Sequence, residues 1–238
     1  MIFHKLSFSI AIAIATLASL PAVTFADLAN YGNFFGDNVT FCNVRENSSF
    51  STVPLYEDPT PDPIDGDTLT FQPGSFDVNT EDGGFEFIDG LLRFTVKADP
   101  GFLITSIRIN EGGGYNTLGE GSTADARAIG VANLNGSTIG GTARFNYTNT
   151  SGGVEGGDWE TETILSIPSA DEVGFSLDNQ LLVNTVFQPR PEYNRLAFID
   201  KKFVNITVET VPVVPEPAAA TVALAGLAVC MIRRRRTV

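Results

Sequence analysis

Carboxylates are the commonest side chains in this 238-residue chain that can do chemistry, and they crowd most closely between Glu57 and Asp67. There Glu57, Asp58, Asp62, Asp65 and Asp67 fall within eleven residues. A hard cation such as calcium takes about six to eight oxygens, and an acidic loop of this kind supplies them. The spacing is not that of an EF-hand, and Pro59, Pro61 and Pro63 suit a solvated linker equally well. Calcium is therefore the one cofactor left open, and no residues are assigned as metal ligands. A second stretch, Glu155-Gly156-Gly157-Asp158-Trp159-Glu160, sets the single tryptophan in what reads as an acidic, glycine-rich turn. An aromatic ring flanked by polar groups is a surface on which sugars stack, although a tryptophan opening a strand more often belongs to a core. Glycoside hydrolysis needs a pair of carboxyl groups, and Asp and Glu are plentiful, but no spacing singles out a pair.

Other chemistries lose the residues they need. The only histidine is His4. Lys5 and the apolar run from Leu6 to about Leu20 read as a secretory signal peptide, with Thr24-Phe25-Ala26 as the stretch that a signal peptidase recognises. Cleavage is expected between Ala26 and Asp27, and Pro21 with the small residues after it argues against a retained anchor. The exported body then has no histidine, hence no Ser–His–Asp or Cys–His unit and no histidine-based zinc or iron site. Cys42 is its only thiol, since Cys230 lies in an apolar tail, so an internal disulfide is excluded. The run from Val39 to Val44 alternates as a strand, and Cys42 is expected to be a buried, reduced thiol there. Of the 28 acidic and 15 basic residues in the chain, 27 and 10 fall in this body, a formal charge of −17. Such a charge repels nucleic acid and anionic polymers, and suits a soluble surface protein or one that collects divalent cations. Asn-x-Ser/Thr triplets at Asn38, Asn47, Asn135, Asn146, Asn149 and Asn205 read as a polar surface rather than as glycosylation sites.

The C-terminus carries an address. Pro215-Glu216-Pro217 precedes fifteen uncharged residues, 218–232, and then Arg233, Arg234, Arg235 and Arg236. Fifteen helical residues span about 22 Å, short of the roughly 30 Å hydrocarbon core of a membrane. Bilayer thinning and outward-reaching arginine stems cover the deficit. The arginines hold that end, 233–238, on the cytoplasmic side, so the body lies outside. Pro217 marks the helix start, and the prolines at 212, 215 and 217 make a stiff spacer.

These residues, in this order and at this end, resemble the sorting signal of the PEP-CTERM family of bacterial exported proteins. The match covers about a tenth of the chain. The resemblance implies recognition by an exosortase, a membrane-embedded cysteine transpeptidase that cuts near the tripeptide, and an association with extracellular polysaccharide and biofilm matrix. Ala98 to Ile107, with Glu111-Gly112-Gly113-Gly114-Tyr115 after it, is similar to a pattern in other exported bodies of that group, as is Phe198-Ile199-Asp200-Lys201-Lys202-Phe203.

The elements that must position these groups are strands. Short runs rich in Val, Ile, Phe and Thr recur at roughly ten-residue spacing between Gly, Asn, Asp and Pro clusters. Strands are expected over Asn38–Val44, Thr68–Gln72, Leu91–Ala98, Leu103–Asn110, Ala126–Leu134, Thr142–Thr148, Thr161–Ile167, Val173–Leu177, Leu181–Phe187, Leu196–Ile199 and Phe203–Thr210. Turns are expected at Asp82-Gly83-Gly84, Asp89-Gly90, Gly112-Gly113-Gly114, Asn135-Gly136 and Gly152-Gly153. This pattern predicts an all-β body, 27–211, forming a single antiparallel β-sandwich of jelly-roll or Greek-key order whose two sheets bury most of the 18 phenylalanines. The function expected is a non-catalytic exported surface or matrix protein. The alternative is a carbohydrate-binding or carboxylate-based polysaccharide-active protein.

Overall fold

The computed structural model describes residues 27–62, 65–186 and 195–213. Their regular structure is thirteen strands and no helix: β1 (Ala29–Phe35), β2 (Val39–Asn47), β3 (Thr60–Pro61), β4 (Thr68–Phe71), β5 (Asp77–Glu81), β6 (Phe85–Ala98), β7 (Phe102–Leu118), β8 (Thr123–Leu134), β9 (Ser137–Thr148), β10 (Val154–Ala170), β11 (Glu172–Asn184), β12 (Leu196–Asp200) and β13 (Phe203–Pro212). Among the described residues no helix is long and apolar enough to cross a membrane.

All pairing is antiparallel, in two sheets. The first has the order β1-β2-β6-β11-β8-β9. In the second, β10 covers one edge of β7, while β13 and β12 lie end to end along the other, with β4 and then β3 beyond β13 and β5 beyond β12. Strict alternation along each strand builds the space between the sheets. Leu92, Phe94 and Val96 of β6 and Val173, Phe175, Leu177, Leu181 and Val183 of β11 face Ile104, Ile107 and Ile109 of β7 in one core. β8 contributes small residues (Ala124, Ala126, Ala128, Gly130 and Ala132), and a Cβ on Gly130 would lie 2.3 Å from Ile109 Cδ1. The second sheet therefore packs its large side chains directly against the β8 backbone.

The N-terminal strand is held by a buried acid. Glu46, at the inner end of β2, accepts the backbone N–H of Leu55 at 2.5 Å and of Tyr56 at 3.3 Å. Its Oε2 also lies 2.5 Å from the Tyr31 hydroxyl of β1. One carboxylate thus fastens β1, β2 and the loop leading to β3.

Two of the expected turns lie inside strands. Asp89-Gly90 continues β6, where Gly90 leaves room for the rings of Phe76 and Tyr56. Gly112-Gly113-Gly114 sits in the middle of β7, because a Cβ on Gly113 would lie 1.9 Å from Asp200 O. The strands expected at Val173–Leu177 and Leu181–Phe187 join as β11, and β1 and β5 were not expected at all. Asn135-Gly136 is a turn as expected, both residues having positive φ (45° and 86°), and so is Asp82-Gly83 (47° and 89°). Among the described residues five phenylalanines are buried, whereas Phe35 and Phe85, at strand ends, and Phe50, in the loop after β2, are exposed. Pairing of the last strand runs past Thr210 to Pro212, and Val213 N donates to Gly101 O at 2.7 Å.

Candidate functional site

The outer face of the first sheet carries a polar cleft. The alternation that sends Leu92 and Phe94 inward sends Arg93 and Thr95 outward, and in β11 it leaves Gly174 and Ser176 on the same face. The register sets Arg45 opposite Arg93, Arg93 opposite Ser176, Thr95 opposite Gly174 and Gly174 opposite Asn133. Together with Asp27, Asn43 and Asn47 these residues line a cleft of about 500 Å³. Its shape owes much to a bulge in β2 between Cys42 and Arg45, where Asn43 takes φ 58° and donates its N–H to Asn33 Oδ1 at 2.7 Å.

Charge in the cleft is not balanced internally. Arg45 pairs with Asp27 at 3.3 Å, whereas exposed Arg93 forms no ion pair or hydrogen bond among the described residues. Like charges directly opposite on paired strands repel, so this arrangement costs the fold something. Arg93 offers a planar fork of N–H donors, and Thr95, Ser176, Asn43, Asn47 and Asn133 add hydroxyls and amides around it. Groups of this kind hydrogen-bond the hydroxyl, ring and carboxylate oxygens of a sugar.

Further along the same face Asp89, Gln180, Arg127 and Arg144 form one cross-strand row. Ser48 Oγ and Ser49 N–H donate to Asp89 Oδ1 at 3.0 and 2.9 Å. Beside this row, Gln180 Nε2 donates to Asp178 Oδ2 at 3.0 Å, while Oδ1 is buried and has no hydrogen-bond partner among the described residues. Burial, and next the Asp89 charge, push the Asp178 carboxyl above the usual carboxylate range. Phe87 packs edge-on against exposed Phe50, with ring centres 4.9 Å apart, and exposed Phe85 lies beyond it at the end of the face.

Of the residues singled out in the sequence, Asp27 lines the cleft. Ala26, Pro215, Glu216, Pro217 and Arg233 to Arg236 lie outside the described residues. Two carboxylates of the acidic loop are taken up by the loop itself and its neighbours. Asp67 accepts the N–H of Asn38 at 2.7 Å and its Nδ2 at 2.9 Å, and Asp62 Oδ1 accepts Asp65 N–H at 3.2 Å. Among the described residues no three His, Cys, Asp or Glu side chains converge as a metal site. Trp159 is not in a turn but in β10, buried, donating Nε1–H to Asp200 O at 3.1 Å and stacking on Phe145, so its ring is closed to a sugar. Cys42 is half-buried on the outer face rather than buried, because the alternation that sends Val39 and Phe41 inward sends Cys42 outward, and the bulge after it only returns Val44 to the core. Arg93, Asn133 and Ser176 escaped notice. Their signal was the polar half of strands already recognised by their apolar half.

No family model matches the chain, and no curated protein matches it. Among solved structures it is similar to TmCBM61 in complex with beta-1,4-galactotriose, with 11% identity over 77% of this chain and 99% of that one and a TM-score of 0.25. It is also similar to the infectious bursal disease virus Gt strain (12% identity, 80% and 58% covered, TM-score 0.25) and to an arabinose-bound MgGH51 α-L-arabinofuranosidase (11%, 76% and 27%, TM-score 0.18). Likeness this slight carries no functional weight.

Proposed function

We propose that this is a non-catalytic, exported surface or extracellular-matrix protein that is sorted and cut through its C-terminal signal and holds extracellular polysaccharide in the outer cleft of its first sheet. The observation that carries the binding half is the unpaired Arg93 guanidinium in a cleft walled by hydroxyls and amides. The sorting half is supported by the order Pro215-Glu216-Pro217, apolar run and arginine cluster in the sequence. An exosortase is the partner at the tail, with the inner membrane as the station before cutting. Signal-peptide cleavage after Ala26 would leave the new α-amino group on Asp27, at the rim of the cleft. The strongly acidic body confines any affinity for acidic glycans to this local face and makes it salt-dependent.

A polysaccharide-active reading has one observation in its favour, the raised Asp178 carboxyl near Asp89, which is the character of a general acid. Turnover of oligosaccharides that disappears in Asp178→Asn would replace the binding reading by that one. For the sorting half, Glu216→Ala in cells holding the matching transpeptidase is expected to leave full-length protein in the membrane fraction. Release of this variant as efficient as that of the parent would leave the tail as a mere anchor.

A further inference from the structure

The core holds an ion pair that the cleft does not use. β12 and β13 run along one edge of β7, and the chain between them bulges. Lys201 N donates to Phe76 O at 2.9 Å, Lys202 N to Gly112 O at 2.8 Å, and Asp200 takes hydrogen bonds from Trp159 Nε1 and Gly114 N. The bulge sends Lys201 inward, where it is fully enclosed, with Nζ 5.5 Å from the centre of the Phe76 ring and 5.3 Å from that of Trp159. There Nζ touches Oε2 of Glu111, a β7 residue that is equally enclosed. The second carboxylate oxygen, Glu111 Oε1, has no hydrogen-bond partner among the described residues. Burial pulls the Lys201 ammonium below its ordinary pKa, against the opposing pull of the Glu111 charge.

An enclosed ion pair with an orphaned oxygen is costly to keep, because neither charge recovers its lost hydration in full. The same two groups in contact, dry and ringed by aromatic side chains, are placed for condensation. We propose that Lys201 and Glu111 join in an intramolecular isopeptide bond. The proton of the ammonium passes to the carboxylate, which leaves a neutral amine and a neutral acid. The Nζ lone pair attacks Cδ, the C–N bond forms and the bond from Cδ to the protonated oxygen breaks. That oxygen leaves as water, taking the second proton from Nζ. Charge is conserved, and no oxidant or co-reactant enters. The product keeps one carbonyl oxygen in place of two carboxylate oxygens and ties the middle of β7 to the bulge between β12 and β13. Cys42 is the sole cysteine among the described residues, so this bond would supply a long-range tie that a disulfide cannot.

The full chain, unfolded and digested with trypsin, decides the matter by tandem mass spectrometry. The expected species is residues 109–127 joined to residues 196–202, one water lighter than the sum of the two, with cleavage after Lys201 blocked. Lys201→Arg keeps the charge without the nucleophile and is expected to yield only separate peptides. Recovery of free 109–127 and 196–201 from the parent would overturn the proposal. So would a Lys201 linkage formed with loss of ammonia, which would assign an asparagine as the partner. The parent digest suffices should the variant fail to fold.

Discussion

At the scale of single residues, the molecule is organised by a few polar groups removed from water. Tyr31 has one hydroxyl proton and two acceptors in reach, Glu46 Oε2 at 2.5 Å and Tyr56 O at 2.7 Å. Burial, then the bond to Glu46, push its hydroxyl well above its ordinary range, so it stays a donor. Tyr31→Phe leaves a buried carboxylate short of a partner, and the expected cost is about 1–3 kcal/mol, read as a lower urea midpoint with unchanged slope. Asp178 carries a pH signature. Its folded pKa is raised, so the fold binds the proton more tightly than the unfolded chain does. The stability it contributes is fully present below its ordinary value and is lost as pH rises through the raised one. Asp178→Asn should therefore flatten the fall in thermal midpoint between acid and neutral pH. Glu46, raised in the same direction by burial, keeps its own share of that fall. A variant whose midpoint falls as steeply as the parent's would remove Asp178 from this account.

At the scale of elements, alternation was the legible signal and glycine the misleading one. The apolar half of β2, β6, β8, β11 and β13 announced strands, and Asn135-Gly136 announced its turn, because both depend only on neighbours in sequence. The glycines of β7 looked like punctuation, yet they are places where another backbone comes close, a fact fixed by residues some 86 positions away. The same limit hid the cleft, which is a register between β2, β6, β11 and β8 and not a motif. β1 was invisible because its residues are only half-buried and alternate weakly. Gly113→Ala tests the close approach, since its Cβ would meet the Asp200 carbonyl of the bulge. A loss of about 1–3 kcal/mol or more is expected from overpacking against backbone, whereas a neutral effect would mean that the bulge is free to shift.

At the scale of the whole molecule, the chain divides, on the proposed reading, into a body that binds and ends that address it. The body closes its core among residues 27–213, with the last strand taking in Pro212, the first proline of the expected spacer. Its surface is acidic, but Arg45, Arg93, Lys97, Arg127 and Arg144 all lie on strands of the first sheet, so the local field there differs from the net charge. Arg45, Lys97 and Arg144 are paired with Asp27, Glu172 and Asp125, which leaves Arg93 as the open donor in the cleft. Calorimetric titration of the parent and of Arg93→Ala with neutral and uronate-bearing oligosaccharides tests this most directly, with Lys202→Ala on the other sheet as control. Saturable binding is expected for the parent and the control, weakened about tenfold in Arg93→Ala, or about 1.4 kcal/mol. Binding that is equal in the parent and Arg93→Ala, or no binding of either kind of sugar, would contradict it.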